Sequence, residues 1–253
     1  VQGNKGKALK LAEKLIEDNP DNVDSLLLFV QLKNDDIDRI QLESILKKVL
    51  ALDPKNRESF LRLGQIYIDK DDKAQALDLF NDMVVQFPDY YVAWYYLGET
   101  HLFLGNFSEA EPAFIKTIEL EPDLLEPRFQ LVTVYEALNP KDKHLKINTL
   151  YDQVLEQEPD NYRALLGKAL NHFQAGNRKQ AEKLFATLAP DIDKESKLLM
   201  TAVDTYLTAE KKAEAVIVFS QLLKAAPENS TLNYFTAVAY QSLKDFDKAI
   251  AHY

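Results

Sequence analysis

Seven prolines, each followed by an acidic residue or a lysine, punctuate the chain at Pro20, Pro54, Pro88, Pro122, Pro159, Pro190 and Pro227. Their successive separations are 34, 34, 34, 37, 31 and 37 residues. A sustained period of this length marks a repeat architecture, in which each unit buries its apolar face only against its neighbours. Other residues keep phase with the prolines. After Pro54 come Phe60, Leu63-Gly64, Tyr67, Ala76 and Phe80, and after Pro88 the same offsets hold Trp94, Leu97-Gly98, His101, Ala110 and Phe114.

The spacing within each unit is helical. Apolar residues recur at i, i+3, i+4 and i+7, one face of an amphipathic helix. Gly64, Gly98, Ala76 and Ala110 are small enough for paired helices to cross closely, and the rings Tyr67, Phe80, Trp94 and Phe114 fill the space beside the crossing. Each proline disfavours helix at the residue before it and so closes a unit. Ser108 with Glu111, and Asp123 with Glu126, have capping-box spacing, which places Pro112 and Pro127 in first turns. Only 7 glycines and 10 prolines in 253 residues are too few for many strands and tight turns, so the chain is expected to be all-α.

Later units are less regular. The unit after Pro122 carries about three extra residues in its inner turn, around Asn139–His144. The unit after Pro20 keeps Leu26, Phe29, Leu42 and Leu46 without Gly or Ala at the crossing. The expected units run over 1–22 (a second helix only, with Gly3-Asn4 in the place of a turn), 23–56, 57–90, 91–124, 125–161, 162–192, 193–229 and 230–253 (truncated). They form a single array of fifteen helices over 1–253. Neither end carries a polar cap, which suits a longer array or end-to-end self-association.

The segment AWYYLGETHLFLGNFSEAEPAFIKTIELEP, with its Trp, Leu-Gly, His (Tyr in other units), Ala, Phe and Pro in phase, resembles the tetratricopeptide repeat (TPR) family. The resemblance covers essentially the whole chain. It implies a right-handed superhelical solenoid of helix–turn–helix repeats that binds a protein or peptide in its concave groove and is not an enzyme. Carried over place by place, it puts Leu61, Gln65, Tyr95, Tyr96, Glu99 and Phe103 in that groove, followed by Phe129, Thr133, Glu136, Arg163, Leu166, Leu170 and Phe173. The places seven residues after each proline, among them Leu61, Tyr95, Phe129 and Leu166, are apolar. A clamp for a terminal carboxylate, which some TPR domains build from Lys and Asn, is not expected. The expected partner is an apolar segment with basic groups for Glu99 and Glu136. Two other roles fit the same residues: a spacer or oligomerisation arm of a multiprotein assembly, such as one of a bacterial envelope or secretion system, and a substrate-recruiting arm of an enzyme whose catalytic domain lies elsewhere.

Charge narrows the partners. Thirty basic and forty acidic residues give a formal charge of −10, the wrong sign for nucleic acid. Residues 74–126 hold ten acids and Lys116 as their one base, a patch able to attract a basic partner over about 8–10 Å. No apolar run approaches the roughly 18 residues of a membrane span. The absence of cysteine removes thiolate chemistry and suits cytoplasm and periplasm equally. Phosphate-loop, metalloprotease and nucleophile-elbow motifs are missing, and no cofactor or metal is expected. His101 and His172 occupy the place of Tyr67, Tyr135, Tyr206 and Tyr240, an inter-helix place, while His144 falls in the extended turn and is expected to be solvated.

Overall fold

The computed structural model describes residues 2–33, 38–189 and 196–253. Among these it holds the fifteen helices that the repeat implies: α1 (Gln2–Asp18), α2 (Val23–Lys33), α3 (Arg39–Leu52), α4 (Arg57–Asp69), α5 (Lys73–Gln86), α6 (Tyr91–Leu104), α7 (Phe107–Leu120), α8 (Glu126–Leu138), α9 (Lys143–Gln157), α10 (Tyr162–Gln174), α11 (Arg178–Leu188), α12 (Ser196–Ala202), α13 (Lys212–Ala225), α14 (Ser230–Ser242) and α15 (Phe246–His252). α12 runs on as a π-helical turn over Val203–Thr208. The helices gather into two compact units, residues 1–122 and 123–253, each a run of antiparallel helix pairs packed on their chain neighbours. The expected turn at Pro190 lies outside the described residues. Gly3 and Asn4, expected in a turn, are already within α1.

Among the described residues, six inner turns each depend on one residue in the left-handed region. These are Asp71, Gly105, Asn139, Gly176, Glu210 and Lys244, spaced by 34, 34, 37, 34 and 34, with φ between +48° and +80°. The single longer step is the expected insertion before α9. At four of the turns the next amide donates back across the helix end: Asp72 to the Tyr67 carbonyl (2.8 Å), Asn106 to His101 (2.9 Å), Asn177 to His172 (2.9 Å) and Asp245 to Tyr240 (3.0 Å). This six-residue closure satisfies carbonyls that the helix leaves open.

First helices are capped two residues after the proline. The side chains of Asn22, Asn56, Asn161 and Asn229 accept from Ser25, Ser59, Ala164 and Leu232 amides at 2.8–3.0 Å. The two expected capping boxes do not form. α7 begins at Phe107 and α8 at Glu126, without a side-chain cap at Asn106 or Leu125, so Ser108 is already helical and Asp123 lies too far upstream. Pro112 consequently sits inside α7, whereas Pro127 does fall in the first turn of α8.

The core repeats as well. Phe80, Phe114, Phe185 and Phe219 of the second helices α5, α7, α11 and α13 are at most 1% exposed. Phe80 and Phe114 lie beneath Gly64 and Gly98: a Cβ on Gly98 would stand 2.8 Å from the Phe114 ring, and one on Gly64 would overlap the Phe80 ring. Phe80 also stacks on Tyr96 (centroids 5.4 Å, 10°), and Phe219 on Phe235 (5.7 Å, 21°). Each ring therefore ties its own pair and, where it stacks, the pair that follows.

Since the enclosed Phe80 ring has nowhere to move, Gly64→Ala is expected to lower the unfolding free energy by about 1–3 kcal/mol, read from the urea midpoint. Lys244→Gly should do the opposite. It relieves a left-handed side chain, against a looser unfolded chain, for a net gain of about 0.5–1 kcal/mol in the same assay.

Candidate functional site

Of the thirteen groove residues expected from the sequence, seven line one of two clefts, Glu99 and Phe103 in the first unit and Phe129, Thr133, Glu136, Arg163 and Leu170 in the second. In the first unit a cleft of about 440 Å³ is lined by Ile68, Lys73, Ala76, Glu99, Thr100 and Phe103. Phe103 is 57% exposed, and the Lys73 ammonium lies 4.2 Å from its ring centroid. Gln65 is exposed and donates to Asp69 (2.7 Å), while Leu61 packs half-buried on the core. Tyr95 meets Tyr96 and Phe114 edge-on at 5.7 and 6.1 Å. Tyr96 is committed to the core through Phe80.

The second unit holds a more polar cleft of about 540 Å³. Phe129, Thr133 and Glu136 come from α8, Tyr151 from α9, Arg163, Gly167 and Leu170 from α10, Thr205 and Tyr206 from the π-turn, and Lys211 and Glu214 from the start of α13. The Arg163 guanidinium lies over the Phe129 ring at 3.9 Å and pairs with Glu126 at 2.8 Å. Lys211 pairs with Glu136 at 3.5 Å. The exposed Thr133 hydroxyl donates to its own helix, at the Phe129 carbonyl (3.4 Å). Burial first, then the Glu136 charge, holds the Tyr151 hydroxyl well above its ordinary pKa. Tyr206 is shifted the same way by burial, with Tyr151, Glu136 and Glu214 adding to it and Arg163 opposing.

Three of the expected groove residues prove to be packing residues. Leu166 is fully enclosed, and Phe129 and Leu170 are 7% and 5% exposed, because α9 and the π-turn close over this face of the first helices. Phe173 is half-buried under the Arg178 guanidinium (3.5 Å). The sequence reading missed Lys73, Tyr151, Thr205, Tyr206, Lys211 and Glu214 as lining residues. Four of them come from second helices or the residues that lead into one, and the π-turn rotates the other two into the cleft. The one signal was the displaced proline spacing around Pro190.

The histidines divide. His144 is not in a solvated loop: it lies in α9, and its Nδ1 is 2.6 Å from Asn171 Oδ1, while Asn171 donates to the His144 carbonyl and to Asn148 (both 2.9 Å). His101 and His172 have enclosed Nδ1 atoms with no hydrogen-bond partner among the described residues. Burial lowers both pKa values, against Glu109 for His101; for His172, Lys168 adds to the lowering and Asp152 opposes it. No group of three or more His, Cys, Asp or Glu that could hold a metal occurs among the described residues, and none of their helices is long and apolar enough to cross a membrane.

Antiparallel helix pairs of 34-residue period, with ring-under-glycine crossings and clefts along the first helices, define a helical-repeat protein. Three family profiles match it: the TPR domain of cytochrome c-type biogenesis protein H over residues 84–199, and two tetratricopeptide repeat profiles over 58–90 and 200–253. The chain belongs to the tetratricopeptide repeat family. Among solved structures, MamA is 26% identical, with 65% of this chain and 95% of that one covered at a TM-score of 0.57. YrrB, described as a TPR protein with an unusual peptide-binding site, is 21% identical over 81% and 100%, TM-score 0.59. A tetratricopeptide repeat protein from Parabacteroides merdae is 15% identical over 94% and 93%, TM-score 0.55. The last two likenesses concern the fold alone. A search of curated protein sequences finds no match.

Folded His101 and His172 resist protonation and the unfolded chain does not, so the unfolded state binds more protons just below its ordinary histidine pKa of about 6.5. Stability should therefore be full above that value and fall as the pH is lowered below it. Replacing both with the tyrosine that other units carry should flatten the fall, measured by urea unfolding at a series of pH values.

Proposed function

We propose that this protein-interaction scaffold holds an extended or helical segment of a partner protein along the clefts of its first helices, mainly by apolar and aromatic contacts. Phe103 carries the reading. A phenylalanine more than half exposed beside an apolar cleft, with Lys73 and Glu99 at its rim, has the character of an interface anchor surrounded by polar groups. Nothing in the role calls for catalysis. Of the two carboxylates expected to meet basic groups of a partner, Glu99 lines the first cleft, whereas Glu136 is already paired with Lys211. The likeness of residues 84–199 to the TPR domain of a cytochrome c-type biogenesis protein makes the proteins of that process the first partners to try.

A photo-crosslinking amino acid at position 103 is expected to trap a discrete partner in the source cell, whereas the same probe at the 80% exposed Val85 of α5 is expected to trap none. Equal trapping at both positions, or at Val85 alone, overturns the cleft as the binding face.

A further inference from the structure

An ion pair crosses the second cleft from one wall to the other. We infer that this pair, Lys211 with Glu136, is an autoinhibitory strap that holds the cleft shut until a partner segment breaks it, which rests on the reading of the clefts as partner-binding and adds how one of them is controlled.

Glu136 lies near the end of α8 and Lys211 at the start of α13, in helix pairs two apart, and their charged atoms meet at 3.5 Å. Gly167 and Leu170 of α10, in the pair between, line the same cleft. The contact therefore spans the intervening pair, whereas Arg163 and Glu126 join first helices of neighbouring pairs. A carboxylate nearer in the chain, Glu214 in the first turn of α13, also lines the cleft, yet among the described residues the ion pair of Lys211 is with Glu136. Phe129, Leu170 and Tyr206 of the cleft are buried, so this closed form offers a guest side chain no ring or aliphatic surface to lie on.

Both members of the pair depart from the pattern of their own place in the repeat. The N-caps of α3, α5, α7, α9, α11 and α15 are all Asp or Asn, and that of α13 is Lys211, which makes no side-chain cap bond. A lysine there gives up the cap that Asp38, Asp72 and Asp245 provide, and sets a cation against the positive end of the helix dipole. Six residues stand three places before a left-handed turn residue. Of these Ile68, Leu102, Phe173 and Leu207 are apolar, Gln241 is neutral, and Glu136 alone is charged. Two departures, of opposite charge and far apart in the chain, meet each other across the cleft. That meeting gives the unfavourable lysine a reason the helix itself does not supply.

The strap is of a strength that can be released. Its side chains are 39% and 40% exposed, so salt screens the pair and its effect on the closed-to-open ratio is on the order of a few-fold. A partner segment that gains contacts only in the open form can outweigh that factor.

The chain has no cysteine, so spin labels can be placed on the whole chain at Ala137→Cys of α8 and Ala213→Cys of α13, both exposed, and their separation read by pulsed electron spin resonance. The labelled protein should show one short distance at about 0.1 M salt and a longer, broader distribution at about 1 M. Lys211→Glu should show the long distribution at both, and Lys211→Glu combined with Glu136→Lys should restore the short one. Lys211→Asp, which gives α13 the cap of the other second helices, should lengthen the distance without lowering the melting temperature, so that opening is told from unfolding. With a photo-crosslinking amino acid at the exposed Thr133 of this cleft, Lys211→Asp should trap the position-103 partner about two- to fivefold more, the factor of one partly exposed ion pair. A distance unmoved by salt and by the single variants, or a double reversal that fails to restore it, overturns the strap. Distances that respond without a rise in trapping at position 133 overturn its inhibitory role. If position 103 traps nothing, the broader reading fails separately, and the distances still decide whether the strap exists.

Discussion

The contact on which the rest depends is an aromatic ring lying under a glycine. Phe80 under Gly64 and Phe114 under Gly98 bring the two helices of a pair to a separation that no side chain at the glycine would permit. The same rings are fully buried, and Phe80 passes the contact on by stacking on Tyr96 of the next pair. One ring thus fixes the crossing inside a unit and the step to its neighbour. Because that ring occupies one side of the first helix, the opposite side is left over. The leftover side is where the clefts form, so their position is a consequence of how the core is packed.

That contact was legible in the sequence because it is written in extreme residue sizes, Gly against Phe or Tyr, at a fixed period. Caps and turns were less so. The inner turns need a left-handed residue, yet only Gly105 and Gly176 announce it; Asp71, Glu210 and Lys244 take the same conformation without any compositional sign. At Asp71 and Lys244 the closure by the following amide holds the turn residue there. The first-helix caps could have been read, since an asparagine follows Pro20, Pro54, Pro159 and Pro227 at the same distance. The Ser108 and Asp123 boxes have the right spacing, but α7 starts one residue before Ser108 and α8 three residues after Asp123.

The candidate site was legible along the first helices and illegible where the second helices reach over them. Leu166 and Leu170 follow the groove spacing but are enclosed, because Gly167 between them admits the Tyr151 hydroxyl of the preceding helix. Here the glycine serves the crossing between pairs instead of the crossing within one. A single offset table cannot distinguish these two uses, since both leave a glycine opposite a ring.

Departures from the regular repeat are not spread evenly over the second unit. Within residues 203–208 lie the π-turn and the buried Tyr206 hydroxyl. Both lie in one cleft. The cleft of the first unit, by contrast, is apolar and carries the chain's own Lys73 over the exposed ring. A repeat scaffold can tolerate a local cost of this kind because its regular crossings hold the helices on either side. Where a fold breaks its own local rules in one place and keeps them in the others, the broken place is the one to associate with selection for something other than stability. The cleft between α8, α10 and the π-turn is that place, and the regular crossings of the second unit hold the helices that form it.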